Sequence, residues 1–452
     1  MFKPLYSTSF LTCRTTAALL LYVAVNAAML AFLPHDKCVL TAADVKNSAN
    51  ERCGKGSWTW WLTRNYLVDG QNADIVFMGS SQMGSALYSA EAAHLKEAVD
   101  TVTYRRSTYA EEQLGTRFGG GTPSTFNLAF GGAMISDQFM LAKALFNEDH
   151  KPKLVVIGVN PRDFMDNSFQ SVNSTDAFNY LRPYVDLKGL GNYAFTDLFS
   201  WLNWQIEGLP ARQLTTRYAP TIAGLENKIF DDCLIRLTQA ARAQNDKVKT
   251  AASPAGAEQN VNGTEQVAAG QTAADQKADD HESLKAIYGN TQEVTAGKWK
   301  VVASTWGAFQ DNTREYAMRY KNPDPPIYPI EKRFFEEFLA YLQAEDIKVL
   351  VVGMPSLWPN RALLPEKFWK DFRADVAAST TKYGGTWLDL YDDPRFNNTD
   401  YLDTVHLNPA GGFKLVRCVV DSIADNNQLA FSVRRRQMAD KTPPRVAPDY
   451  WQ

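Results

Sequence analysis

The sequence predicts an α/β protein: a parallel five-stranded sheet flanked by helices, carrying one large insertion and preceded by a single membrane-spanning helix. Three observations carry this. Short apolar runs that stop at a glycine or a turn recur five times, helical stripes lie between them, and the alternation breaks from 165 to 330 before resuming.

Taken in order, the first element is the uncharged stretch 15–34, which contains Leu19-Leu20-Leu21-Tyr22-Val23-Ala24-Val25 and continues to Leu33. About twenty such residues cross a bilayer as one helix. Lys3 and Arg14 precede it and His35 and Asp36 follow, so residues 1–14 are expected in the cytoplasm and the bulk of the chain outside, as a single-pass protein of the inner or plasma membrane with a periplasmic domain. A cleaved signal peptide is the competing reading, but the run is longer than a usual signal h-region and lacks a clean cleavage site. Residues 35–73 then form a connector. Within it, Ser57-Trp58-Thr59-Trp60-Trp61-Leu62 is either an interfacial aromatic belt or packing beneath the domain.

Asp74-Ile75-Val76-Phe77-Met78-Gly79-Ser80-Ser81 reads as a buried strand ending in a tight turn, with a helical segment around Ala90 to Val99 after it. A polar, glycine-rich loop from Arg105 to Pro123 leads into a second strand and glycine turn, Ser124 to Ala133. Ser136-Asp137 caps a helix through Leu145. Lys153 to Pro161 is the third strand and turn. Within the insertion, 165–330, the stretch 243–280 is rich in Ala, Gln, Gly, Asn and Asp and is expected to be disordered, while its aromatic flanks, with Trp201, Trp204, Trp299 and Trp306, are expected to fold over the sheet. A helix with a Phe334, Phe335, Phe338, Leu339, Leu342 stripe, a fourth strand from Ile347 to Pro355, a helix from Phe368 to Thr381 and a fifth strand from Thr386 to Leu390 restore the alternation. Asn408-Pro409 begins the last helix as N-cap and first-turn proline. Residues 425–452 are a basic tail.

Hydrophobic residues make up 45% of the chain, enough for a real core, and the net charge of −3 gives no support for nucleic-acid binding. Cys13 lies on the cytoplasmic side of the predicted anchor, and beyond it lie Cys38, Cys53, Cys233 and Cys418, which allow three pairings. No pair has C-x-x-C spacing, so disulfides are a plainer expectation than a zinc site. No metal or nucleotide motif appears, and no cofactor is expected.

The strand ends offer what acyl transfer needs. A serine hydroxyl is a poor nucleophile unless a base lies within hydrogen-bond reach and a third group fixes that base. Ser81 is the candidate nucleophile, and His406 with Asp403, three residues apart before a helix, supplies base and orienter. Donors for a developing oxyanion, each worth ~3 kcal/mol in comparable sites, are available from the N–H of Ser81, that of Gly131 or Gly132, and the amide of Asn160. Trp358, after the fourth strand, either stacks on a sugar ring or packs. The bland alternatives are that Ser80 and Ser81 merely cap a helix, that Asn160 caps a turn and that the glycines serve only backbone geometry. His35, His94, His150 and His281 read as ordinary surface or core residues.

The order Gly79-Ser80-Ser81, Asn127 with Gly131-Gly132, Gly158-Val159-Asn160 and Asp403-x-x-His406 resembles the four sequence blocks of the SGNH esterase and acyltransferase superfamily, over 74–164 and 331–424. The resemblance implies a flavodoxin-like α/β/α catalytic domain with Ser81 as nucleophile, His406 as base, Asp403 as its partner, and Gly132 (or Gly131) and Asn160 in the oxyanion hole. Ser80 and Pro161 stand where common secreted esterases of the superfamily have aspartate. Gly-Ser-Ser with an N-terminal anchor is more similar to the branch containing the teichoic-acid D-alanyl transfer and alginate O-acetylation proteins, and Pro161-Arg162-Asp163-Phe164 resembles a run in anchored members of that branch. This implies O-acylation of an exported or cell-surface polysaccharide, with a polytopic acyl-exporting partner of the membrane-bound O-acyltransferase kind. A carbohydrate esterase acting on the same bond, and a silent domain that binds polysaccharide or scaffolds an envelope assembly, are the rival expectations.

Overall fold

The structure, a computed structural model, describes residues 20–28, 40–42, 45, 57–70, 73–148, 150–195, 198–207 and 309–434. Its centre is a five-stranded, all-parallel sheet: β1 (Ile75–Met78), β2 (Thr125–Asn127), β3 (Leu154–Val159), β4 (Lys348–Gly353) and β5 (Thr386–Asp389), in the order β2-β1-β3-β4-β5. Among the described residues the helices of eleven residues or more are α1 (Trp58–Asp69), α2 (Ser81–Leu95), α3 (Thr108–Phe118), α4 (Ile135–Leu145), α5 (Ile327–Ala344), α6 (Glu366–Lys382) and α7 (Pro409–Asp425).

The first four strands are covered on both faces, which is why they read as near-continuous apolar runs. Alternation sorts their side chains into two layers. Val76, Met78, Val155, Ile157, Val159, Val349 and Val351 pack with α1, α4, α5 and α6, while Ile75, Phe77, Leu154, Val156, Leu350 and Val352 pack with α2, α3 and α7. The edge strand β5 is half-buried.

Several boundaries differ from the sequence expectation. The helix after β1 begins at Ser81 rather than near Ala90, and it ends at Leu95, where Lys96 takes a left-handed conformation. Of its early residues, Gly84 and Ser85 are poor helix signals, and Ala86 is small enough for its backbone to lie against Gly412 of α7. The expected loop 105–123 contains α3, anchored by buried Glu111, which accepts hydrogen bonds from Thr125 N (2.8 Å) and Arg106 Nε (2.8 Å). The aromatic stretch before β1 resolves toward packing: Trp60 and Leu62 on α1 are buried in the core, whereas Trp58 is half exposed beneath the Arg105 guanidinium. Flanking parts of the insertion join the core through Val172, Phe178, Leu181, Tyr316 and Tyr320. The start of the expected tail is a helix, Asn427–Val433, with Leu429 and Val433 buried.

Of the predicted anchor, residues 20–28 are described and helical, and among the described residues no helix is long and apolar enough to cross a membrane. The other residues of 15–34, the stretch 243–280 and Cys38, Cys53 and Cys233 lie outside the described residues. Cys418 is buried in α7 and unpaired among the described residues.

Candidate active site

Every sequence-predicted site residue lies at a C-terminal strand end or in the loop that leads into α7, on the edge of the sheet where open α/β proteins bind ligands. The nucleophile turn is built by Gly79 (φ +150°), where an added Cβ would sit 2.8 Å from Met83 Cβ and 3.0 Å from Gly158 O. Only glycine fits that turn. It leaves Ser80 extended at the N-cap and Ser81 as the first residue of α2. Ser80 makes no side-chain cap hydrogen bond; its hydroxyl faces the Asp163 carboxyl instead. The backbone N–H of Ser81 is among the first-turn amides that a helix leaves without an internal acceptor, and it sits at the positive end of the helix dipole.

Ser81 Oγ lies 2.7 Å from His406 Nε2, and His406 Nδ1 lies 2.6 Å from Asp403 Oδ2. The other carboxylate oxygen, Asp403 Oδ1, accepts from the backbone N–H of Val405 (2.8 Å) and of His406 (2.7 Å). One residue thus fixes both the turn and the ring. With Asp403 accepting at Nδ1, the ring carries its proton there, and Nε2 is left as the acceptor that a base needs. The loop is braced by Leu402 N–H to His406 O (2.8 Å), Leu357 N–H to Thr404 O (2.9 Å) and a bridge between Tyr401 and Leu407.

The expected oxyanion donors fall on adjacent strands. Phe130 N–H donates to Gly79 O at 3.2 Å, which draws the exposed Gly131-Gly132 turn against the nucleophile turn. Gly132 takes φ +79°, whereas a Cβ at Gly131 would meet open space, so glycine is demanded by the backbone at 132 rather than 131. Arg162 Nη1 holds Ala133 O at 3.0 Å behind this turn. Asn160 is fully buried; its Nδ2 donates to Gln82 Oε1 at 3.2 Å, and its Oδ1 accepts from Tyr320 Oη (2.8 Å) and Arg162 N (3.2 Å). The one partner found for its amide nitrogen is therefore the residue after the nucleophile. Trp358 is half exposed and opens the short helix Trp358–Arg361, directly after Leu357, whose N–H braces the histidine loop.

Beneath the site the carboxyls are strongly perturbed. Burial pushes Asp163 up to about 7, against the pull of Arg162, Ser80 and the Asn160 N–H. Burial likewise pushes Asp137 up to about 6 and raises Glu331, which accepts from both the N–H and the hydroxyl of Ser136. Among the described residues no group of three or more His, Cys, Asp or Glu side chains is arranged to hold a metal ion. His94 and His150 make local contacts to Glu112 and Asn147 respectively; His35 and His281 lie outside the described residues.

Two sets of residues escape the sequence reading. Ser85 and Ser89 both donate to Leu407 O (3.2 and 3.3 Å), tying the nucleophile helix to the residue after the base. Their signal was the spacing 81, 85, 89 along one helix face. Asn312, Tyr316 and Tyr320 arrive from the far end of the insertion and left no signal. No known family profile matches the chain, and no curated protein sequence matches it either.

Proposed function

We propose that this chain is a serine acyltransferase of the SGNH kind, anchored in the membrane by residues 15–34 and acting outside the cytoplasm on a cell-surface or exported polysaccharide. The observation that carries the reading is the unbroken relay Ser81–His406–Asp403, assembled from two segments 325 residues apart in sequence. The parallel sheet supports it, as does the position of Gly132 and Asn160 after β2 and β3, the two strands that flank β1.

In the first half-reaction Ser81 Oγ attacks the acyl carbonyl while His406 Nε2 takes its proton, and Asp403 stabilises the imidazolium. The tetrahedral oxyanion collapses to an acyl-enzyme as His406 protonates the leaving group. A sugar hydroxyl, deprotonated by His406, then attacks the acyl-Ser81 carbonyl, and as that tetrahedral intermediate collapses to the sugar ester His406 returns the proton to Ser81 Oγ. The acyl group is made inside the cell, so the reading includes a membrane-bound O-acyltransferase-type partner that exports it. With water in place of the sugar the same site is an esterase. Half-exposed Trp358, beside the histidine loop, offers a ring face for a sugar.

The test is treatment of the purified protein with a fluorophosphonate and peptide mass spectrometry of any adduct. An adduct on Ser81 that disappears in His406→Ala is expected. A folded protein that forms none would favour a silent polysaccharide-binding or scaffolding role.

A further inference from the structure

We infer that residues 309–320, at the far end of the insertion, form a strap whose side chains position the catalytic groups, with Asn312 and Tyr320 as the positioning residues. The inference rests on the acyl-transfer reading for its chemistry but on independent contacts for its geometry. Asn312 Oδ1 accepts from both the backbone N–H (3.0 Å) and the hydroxyl of Thr404, the fully buried residue between Asp403 and Val405. Gln310 N–H donates to Leu402 O at 2.8 Å, one residue before Asp403. The histidine loop is thus gripped by the strap on one side and by Leu357 on the other.

At its other end the strap reaches β3. Tyr320 Oη donates to Asn160 Oδ1, and Tyr316 pairs with Gln82. With Oδ1 committed to Tyr320 and to Arg162 N, the Asn160 amide cannot flip without losing two hydrogen bonds in a dry site, so Nδ2 is held on the side of Gln82 and the nucleophile helix. Arg319 locks the strap down through buried Asp166, which also holds Arg162 Nε at 2.9 Å, and Asn167 N–H donates to Arg319 O at 3.0 Å. One twelve-residue segment therefore contacts the third block, the fourth block and the residue after Ser81 in the first. Catalysis depends on such groups being held to a fraction of an ångström.

The test uses the full-length protein. With an activated acetyl ester, Tyr320→Phe is expected to lower kcat about ten-fold with KM within about two-fold, the signature of an interaction made only in the transition state. Asn312→Ala should lower kcat and speed deuterium exchange of the 402–408 peptide, while Asn312→Asp, which keeps the accepting oxygen, should restore both. Wild-type kcat in Tyr320→Phe and Asn312→Ala, or a loss in Asn312→Ala that Asn312→Asp does not recover, would overturn the strap. Should the wild type attack neither ester nor phosphonate, the acyl-transfer reading fails, and the exchange pattern alone then decides: protection lost in Asn312→Ala and kept in Asn312→Asp sustains the strap, and unchanged exchange ends it.

Discussion

Ser80 and Asp163 show how a departure from a familiar pattern can be physically consistent. On the proposed SGNH reading an aspartate would be expected before Ser81; here a serine stands there, and its hydroxyl faces a fully buried carboxyl that follows β3. Two carboxylates at that spot would oppose each other in a low-dielectric setting, and one would have to stay protonated. Ser80→Asp is therefore expected to destabilise the protein by about 3 kcal/mol at pH 8. Adding Asp163→Asn should return most of it, as urea unfolding of the single and double variants would show. If Asp163→Asn adds no more to Ser80→Asp than it adds to the wild type, the residues do not sense one another. Ser81, Asp403 and His406 were legible in the sequence because each sits in a short local context, a glycine turn or a helix start, that survives without tertiary knowledge. Asn312 and Tyr320 were not, because their partners Thr404 and Asn160 lie on the far side of the insertion and neither flank carries a pattern.

Between elements, the decisive joint is α2 against α7. Ser81 opens one helix and His406 immediately precedes the other, so their 2.7 Å contact is set by how closely the two helices dock. An added Cβ at Gly412 would lie 2.3 Å from Ala86 O and 3.2 Å from Ala90 Cβ. Backbone cannot give way as a flexible side chain does, so Gly412→Ala must push α7 outward and strain the Ser85 and Ser89 bonds to Leu407 O. The expected outcome is a loss of about 2 kcal/mol in stability, typical of overpacking, with slower phosphonate labelling at Ser81. Gly189→Ala, whose Cβ would meet nothing, is the control. Unchanged labelling in a Gly412→Ala protein would show that the docking distance does not govern the site. The buried strands were readable because burial on both faces leaves an uninterrupted apolar run. The start of α2 and the whole of α3 were not, because Gly84, Ser85 and Gly115 weaken the helical signal and tertiary packing overrides propensity.

Across the whole molecule, acidic groups are buried behind the candidate site in a way that ties stability to pH. Burial raises Asp163 to about 7 and Asp137 to about 6, and Glu331 is raised in the same sense. Asp166 moves the other way, because Arg162, Ser168 and Arg319 outweigh its burial. The signs follow from proton counting. Between its ordinary carboxylate value, 3.8 for the two aspartates and 4.5 for Glu331, and its raised one, each of the first three groups holds a proton in the folded chain that the unfolded chain has released. Folding therefore binds protons there, and stability falls as pH rises, by about 1.4 kcal/mol per pH unit for each group inside its window. Asp166 contributes only below 3.8, where its stabilising charge is lost. The protein is thus expected to be most stable near pH 4 and to weaken toward pH 7, with Asp137 completing its share near pH 6 and Asp163 near pH 7. Asp163→Asn removes one window without changing shape, and its Oδ1 can still accept from the Asn160 N–H. Urea midpoints for the two proteins should therefore converge near pH 4 and separate in favour of Asp163→Asn as pH rises. Groups common to both proteins cancel in that difference, so parallel curves would mean that the Asp163 carboxyl is not held protonated by the fold.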